Sequence, residues 1–166
     1  SVTDAKGHVR LDTAHIALPD FRLTTPVSWL KASADMDFST FADTNPGVMR
    51  LKMDASVGKS DMLLALGMMP LQFVLRLPEQ PLALHADING NMKSLKIRDI
   101  SAKLPTAFNI KADGKAGNLT DIDRLTADIN LDVRADNISF LQPALGLDKN
   151  TAVRIPNGIT LKGNCK

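Results

Sequence analysis

The chain is poor in aromatic side chains and in cysteine. Among its 166 residues are six phenylalanines, one tryptophan and no tyrosine, so any interior must be mainly aliphatic. Seven methionines add pliable apolar side chains. Cys165 is the single cysteine, which excludes a disulfide within the chain and leaves its redox compartment open.

Neither sign of charge dominates, and long apolar runs are missing. The chain has 20 basic and 18 acidic residues that alternate along the sequence, which argues against a dedicated nucleic-acid surface. No run approaches the roughly 18 apolar residues of a membrane-spanning helix. A hydrophobic content of 44% with 23% charged residues is typical of an ordered domain.

The beginning of the chain, Ser1-Val2-Thr3-Asp4, has no initiating methionine and no signal-like apolar stretch. We therefore expect a fragment of a longer protein.

Period-two alternation of apolar and polar residues runs through most of the chain. This pattern places apolar side chains on one face of an extended strand and polar side chains on the other. It predicts long strands at 30–38, 49–57, 73–77, 82–88, 108–112 and 125–135. Shorter apolar pairs predict further strands near residues 9–11, 16–18, 21–23, 95–97 and 100–104, for ten to thirteen in all.

Turn residues separate the predicted strands, and two segments interrupt the alternation. The turns lie at 45–47, 78–81, 89–91, 117–118 and 156–158, a spacing that favours antiparallel meanders. Segment 60–67 predicts a short helix with Ser60 as its N-cap. Segment 138–146 predicts a second helix, whose length Pro143 limits. The expected fold class is mainly β, an antiparallel sheet with one or two short helices.

An internal repeat is the third pattern. Segments 66–67, 75–78 and 82–84 match 145–146, 153–156 and 159–161 at offsets of 77 to 79 residues. We expect a unit of about 78 residues, with a first copy at about 49–126 and an incomplete second copy at about 127–166. Chance similarity between amphipathic strands is the alternative explanation.

Motifs for catalysis or metal binding are weak. Gly58-Lys59-Ser60 would end a phosphate-binding loop, but Met53 occupies the position of its first glycine. His8, His15 and His85 have no cysteine or histidine at ligand spacing, and we interpret them as surface imidazoles. No nucleophile signature occurs. We predict a protein that is not an enzyme and needs neither a metal nor a cofactor.

Two segments of the chain resemble a known family. Residues 84–92 read Leu-His-Ala-Asp-Ile-Asn-Gly-Asn-Met, and residues 125–133 read Leu-Thr-Ala-Asp-Ile-Asn-Leu-Asp-Val. Both segments resemble the strand repeats of bacterial AsmA-like and TamB-like envelope proteins. The resemblance extends over about residues 23 to 163. It implies a periplasmic segment, built from repeats, of a protein anchored in the inner membrane by an N-terminal helix. It also implies a curled, taco-like sheet whose apolar groove serves outer-membrane biogenesis.

The partner implied by that resemblance is a phospholipid or another acyl-chain lipid, together with outer-membrane assembly proteins. The alternative is a structural or adhesive β-repeat rod, whose apolar faces pack against each other in a closed core and hold no ligand. Alternation alone predicts either arrangement. The expected lining of a groove is Leu30, Ala32, Met36, Phe38, Leu51, Met53, Val57, Phe73, Leu75, Leu82, Leu84, Ile88, Phe108, Ile110, Ile129, Leu131 and Val133.

Overall fold

A computed structural model describes residues 2–42, 44–65, 77–137 and 158–165. They form one open, curled sheet of nine strands, in which each strand pairs antiparallel with the next along the chain. The predicted mainly β, antiparallel fold is confirmed. The strands are β1 (Asp4–Leu11), β2 (His15–Thr24), β3 (Trp29–Asp37), β4 (Met49–Val57), β5 (Leu82–Gly90), β6 (Ser94–Leu104), β7 (Phe108–Gly117), β8 (Thr126–Ala135) and β9 (Ile159–Cys165).

The register of the strands places the alternating apolar residues on one face. In β8, Leu131 lies opposite Ala112 of β7 and Val133 lies opposite Ile110. Residues directly opposite each other in an antiparallel pair share a face, so these four side chains lie on the same surface.

Two pairs of predicted strands merge into single longer strands. The separate strands expected at 16–18 and 21–23 form a single β2, and those expected at 95–97 and 100–104 form a single β6. Register shifts lie between Leu18 and Phe21 in β2 and between Ile97 and Ile100 in β6. Each bulge inserts one extra residue into its strand. The apolar residues before and after the bulge therefore point to the same face of the sheet.

One short helix, α1 (Lys59–Ala65), follows β4 and confirms the prediction of a helix in this segment. The prediction that Ser60 caps it is wrong, because Ser60 lies inside the first turn. The carbonyl of Gly58 accepts the first helical bonds, from the amides of Asp61 and Met62.

The tightly packed core of the described residues lies where α1 meets the sheet. Met62 of α1 packs with Leu77, Leu104 and Ala107, all of which are buried. We call this end of the sheet the helix end; it contains the end of β4 and the start of β5. Four half-buried residues surround the core, namely Val57, Leu63, Leu82 and Phe108.

Several predictions fall outside the described residues. These are the second helix at 138–146, most of the strand at 73–77, and two of the three segment matches that define the repeat. The repeat of about 78 residues therefore stays a prediction.

Candidate functional site on the apolar face of the sheet

The apolar face is continuous from β2 to β9. One row of directly opposed residues runs across seven strands, through Leu30, Ala55, Leu84, Ala102, Ile110, Val133 and Leu161. A parallel row begins at Phe21 and ends at Leu131. We call this surface the apolar groove.

Most of the predicted lining residues lie together in this groove. Strand pairing places the following on one face: Leu30, Ala32, Met36, Leu51, Met53, Val57, Leu82, Leu84, Ile88, Phe108, Ile110, Ile129, Leu131 and Val133. Phe38 is different, because β3 ends at Asp37 and Phe38 lies in a 3₁₀ turn with 46% of its surface exposed. Phe73 and Leu75 are outside the described residues.

Two strands that carry bulges, β2 and β6, contribute groove residues that the sequence does not predict. Phe21 lies opposite Ala32, and Ile100 lies opposite Ala86 and Ala112, so both belong to the groove. Simple alternation does not predict them, because a bulge changes which residues share a face.

The groove is open in the described part of the chain. Away from the helix end, its large side chains such as Leu30, Leu84 and Leu131 are only half-buried, and full burial is confined to small residues such as Ala55 and Ala86. A sheet sealed against a second layer would bury the large side chains.

The dimensions of the groove suit a chain molecule. The eight strands from β2 to β9, spaced about 4.8 Å apart, give an apolar track of about 34 Å across the sheet. One leaflet of a bilayer core is about 15 Å thick, half of the full core. An acyl chain lying across the strands would therefore cover less than half of the track.

The opposite face of the sheet, which we call the polar face, carries charged residues. His15 lies between two carboxylates of β3, with its Nδ1 2.9 Å from Oδ1 of Asp37 and its Nε2 3.3 Å from Oδ2 of Asp35. His85 lies between two other carboxylates. Its Nδ1 is 2.6 Å from Oδ1 of Asp54 in β4, and its Nε2 is 3.8 Å from Oδ2 of Asp99 in β6. Both imidazoles are partly exposed, and each links neighbouring strands.

These carboxylates raise the pKa of both histidines. The hydrogen bond to Asp37 is the main cause for His15, and the hydrogen bond to Asp54 is the main cause for His85. A pKa raised above its unfolded value of 6.5 adds stability that is complete below that pH and is lost as the pH rises through the folded pKa.

We therefore expect the double variant His15→Gln/His85→Gln to lose more stability at low pH than at high pH. The difference in urea midpoint between the wild type and the variant should be largest near pH 5.5 and should shrink towards pH 8.5. Urea unfolding across this pH series measures it. A difference that is constant, or that grows with pH, would contradict the assignment of the two ion-paired histidines.

A polar cluster interrupts the groove at the helix end. Oδ2 of Asp61 in α1 accepts hydrogen bonds from the hydroxyl of Thr25 and from the hydroxyl of Ser28, the latter at 2.6 Å. The Ser28 hydroxyl oxygen accepts a bond from the amide of Gly58 at 2.9 Å. The two hydrogen bonds that Asp61 accepts lower the pKa of its carboxyl group, and the bond from Ser28 is the main cause. The cluster joins the β2–β3 turn to α1.

Gly58 permits this junction, because a Cβ at that position would lie 2.7 Å from Cβ of Val27. The sequence does not predict this cluster. Its one local indication is the turn formed by Thr25 and Ser28, where the Thr25 hydroxyl accepts the Ser28 amide at 2.9 Å. Asp61 lies 36 residues from Thr25, and alternation does not connect the two.

The Gly58-Lys59-Ser60 motif lies at the start of α1. Lys59 pairs with Glu79, and Ser60 lies in the first turn of α1. Across the described ranges, no three or more His, Cys, Asp or Glu residues are placed to hold a metal ion. In the same residues no helix combines the length and apolarity that crossing a bilayer requires.

Comparison of the chain with protein families, with curated proteins and with solved structures finds no match.

Proposed function

We propose that the sheet is a lipid-carrying segment of a bacterial envelope protein, and that acyl chains lie along the apolar groove. The observation that carries the proposal is the half-burial of large aliphatic side chains over a face that is continuous from β2 to β8. Exposed apolar surface of this extent marks a ligand or interaction site in soluble proteins.

The energy available is sufficient for lipid binding. Each methylene that leaves water contributes roughly 0.8 kcal/mol, so a dozen contribute about 10 kcal/mol before entropic and desolvation costs. The groove presents aliphatic side chains and methionines, such as Met36 and Met53, that adapt to different chains. The lining therefore favours acyl chains in general over one rigid ligand.

The resemblance of segments 84–92 and 125–133 to AsmA-like and TamB-like repeats supports a cellular setting for this activity. In that setting, the segment lies in the periplasm within a protein anchored in the inner membrane. It carries phospholipid between the inner and outer membranes, or it assists assembly of outer-membrane proteins. The first role uses the groove directly.

Extraction of the purified protein tests this proposal. The chain is prepared without detergent and extracted with organic solvent, and the extract is analysed by mass spectrometry. We expect phospholipid in stoichiometric amount. A folded protein that yields no lipid would instead favour the structural or adhesive rod.

A further inference from the structure

A cavity of about 310 Å³ lies in the apolar groove beside α1. One of its lining residues, Ala55, lies between Leu30 and Leu84 in a single row of the sheet. Because both neighbours are leucines, the small side chain of Ala55 leaves a recess between them. The other apolar residues of the lining are Leu23, Trp29, Met53 and Val57.

The surface of this cavity is almost wholly apolar. Thr25, Ser28 and Asp61 also belong to the lining, but hydrogen bonds of the polar cluster join their side-chain oxygens to one another. A polar group of a ligand would lose its hydrogen bonds to water on entering such a surface, which is unfavourable. An apolar segment has no such bonds to lose. The cavity therefore selects the apolar part of an amphipathic ligand.

The groove ends at this cavity in the direction of α1. Val57 lines the cavity and also packs against the core of the helix end, in which Met62 is buried. Across the strands, the apolar row continues from Leu84 through Ala102 and Ile110. A chain whose end lies in the cavity can therefore extend over β6 and β7, whereas the packed core stops it at α1.

We propose that this cavity holds the methyl end of a lipid acyl chain, so that the chain runs from α1 across β6 and β7. The inference rests on the proposed function, because it gives the orientation of the lipid in the same groove. The methyl end is the part of a phospholipid that lies furthest from the ester and phosphate groups. An apolar cavity of about 150 Å³ can hold benzene, so about 310 Å³ suits a chain end of several carbons.

Trp29 provides an intrinsic probe of this orientation, since it lines the cavity and is the single tryptophan of the chain. Bromine atoms on a lipid chain are apolar and quench tryptophan fluorescence at short range. The full chain is loaded with phosphatidylcholine brominated either near the methyl end or near the ester end of its acyl chains. Bound lipid is measured as phosphate per protein in each sample.

We expect bromine near the methyl end to quench Trp29 at least about twofold more strongly than bromine near the ester, because the two ends of an extended chain are about 15 Å apart, half of a bilayer core. Equal quenching by the two lipids, or stronger quenching from the ester end, would overturn the inference. The proposed function would then stand, since both lipids are bound.

The substitution Ala55→Leu tests the cavity itself by filling the recess. It should bring the quenching by the two lipids close to equality while lipid is still bound. The matched control is Ala116→Leu, the same enlargement in the row of Leu95 and Ala127, at the end of β7 away from α1. This control should keep the wild-type ratio, and urea unfolding checks that both variants are folded.

A folded Ala55→Leu variant with the wild-type quenching ratio would also overturn the inference. The comparison of the two lipids in the wild type decides the orientation even where Ala55→Leu does not fold. A wild type that binds neither brominated lipid would overturn the proposed function and the inference with it.

Discussion

The double variant Ile110→Asp/Ile129→Asp is expected to lose lipid occupancy by about tenfold or more. Ile110 lies between Ala102 and Val133 in the groove, and Ile129 lies opposite Gly114 on the same face. A carboxylate at either position must be desolvated when an acyl chain covers it, and no lysine, arginine or histidine of the described strands lies on this face to compensate it. The measurement is phospholipid per protein after detergent-free purification.

The matched control places the same charges on the polar face. In Ser101→Asp/Asn109→Asp, the new carboxylates lie beside Lys111 and Lys103, which are their cross-strand neighbours. This variant should retain wild-type lipid. An uncharged block of the groove, Ala112→Trp, should reduce lipid as the first variant does, which separates occlusion from misfolding. Wild-type lipid content in Ile110→Asp/Ile129→Asp would contradict the assignment of the groove.

The substitution Leu104→Ala is expected to cost about 2–5 kcal/mol of the free energy of unfolding. Leu104 ends β6 and is only 2% exposed, packed with Met62, Leu77 and Ala107 at the helix end. Because the rest of the apolar face is half-buried, this cluster is the main tightly packed core of the described residues. Urea unfolding followed by circular dichroism measures the loss.

The exposed residue Leu125, which precedes β8, offers a matched control. It is 51% exposed, and Leu125→Ala should change the free energy of unfolding by less than about 0.5 kcal/mol. Equal losses for Leu104→Ala and Leu125→Ala would show that the helix end is not the main stabilising region.

The strand content and the facing of the apolar residues follow from the sequence, because alternation is a local property. Ile129, Leu131 and Val133 fall on one face for the simple reason that successive side chains of a strand point to opposite sides. Pairing of each strand with the next then brings the separate apolar stripes into one surface, so most of the groove lining could be predicted.

Features that join distant parts of the chain could not be predicted in this way. The core at the helix end brings Met62 together with Leu104 and Ala107, and the polar cluster brings Thr25 to Asp61. The bulge between Leu18 and Phe21 depends on the partner strand as well as on local sequence. In each case the decisive contact is made across the sheet, and no local periodicity marks it.

Photo-crosslinking along β7 tests most directly whether acyl chains occupy the groove. A photoreactive residue is placed in turn at Asn109, Ile110, Lys111, Ala112 and Asp113, and lipid adducts are measured after irradiation of lipid-loaded protein. The groove predicts adducts at Ile110 and Ala112 and little or none at the other three positions. Equal adducts at all five positions, or none at any, would contradict it.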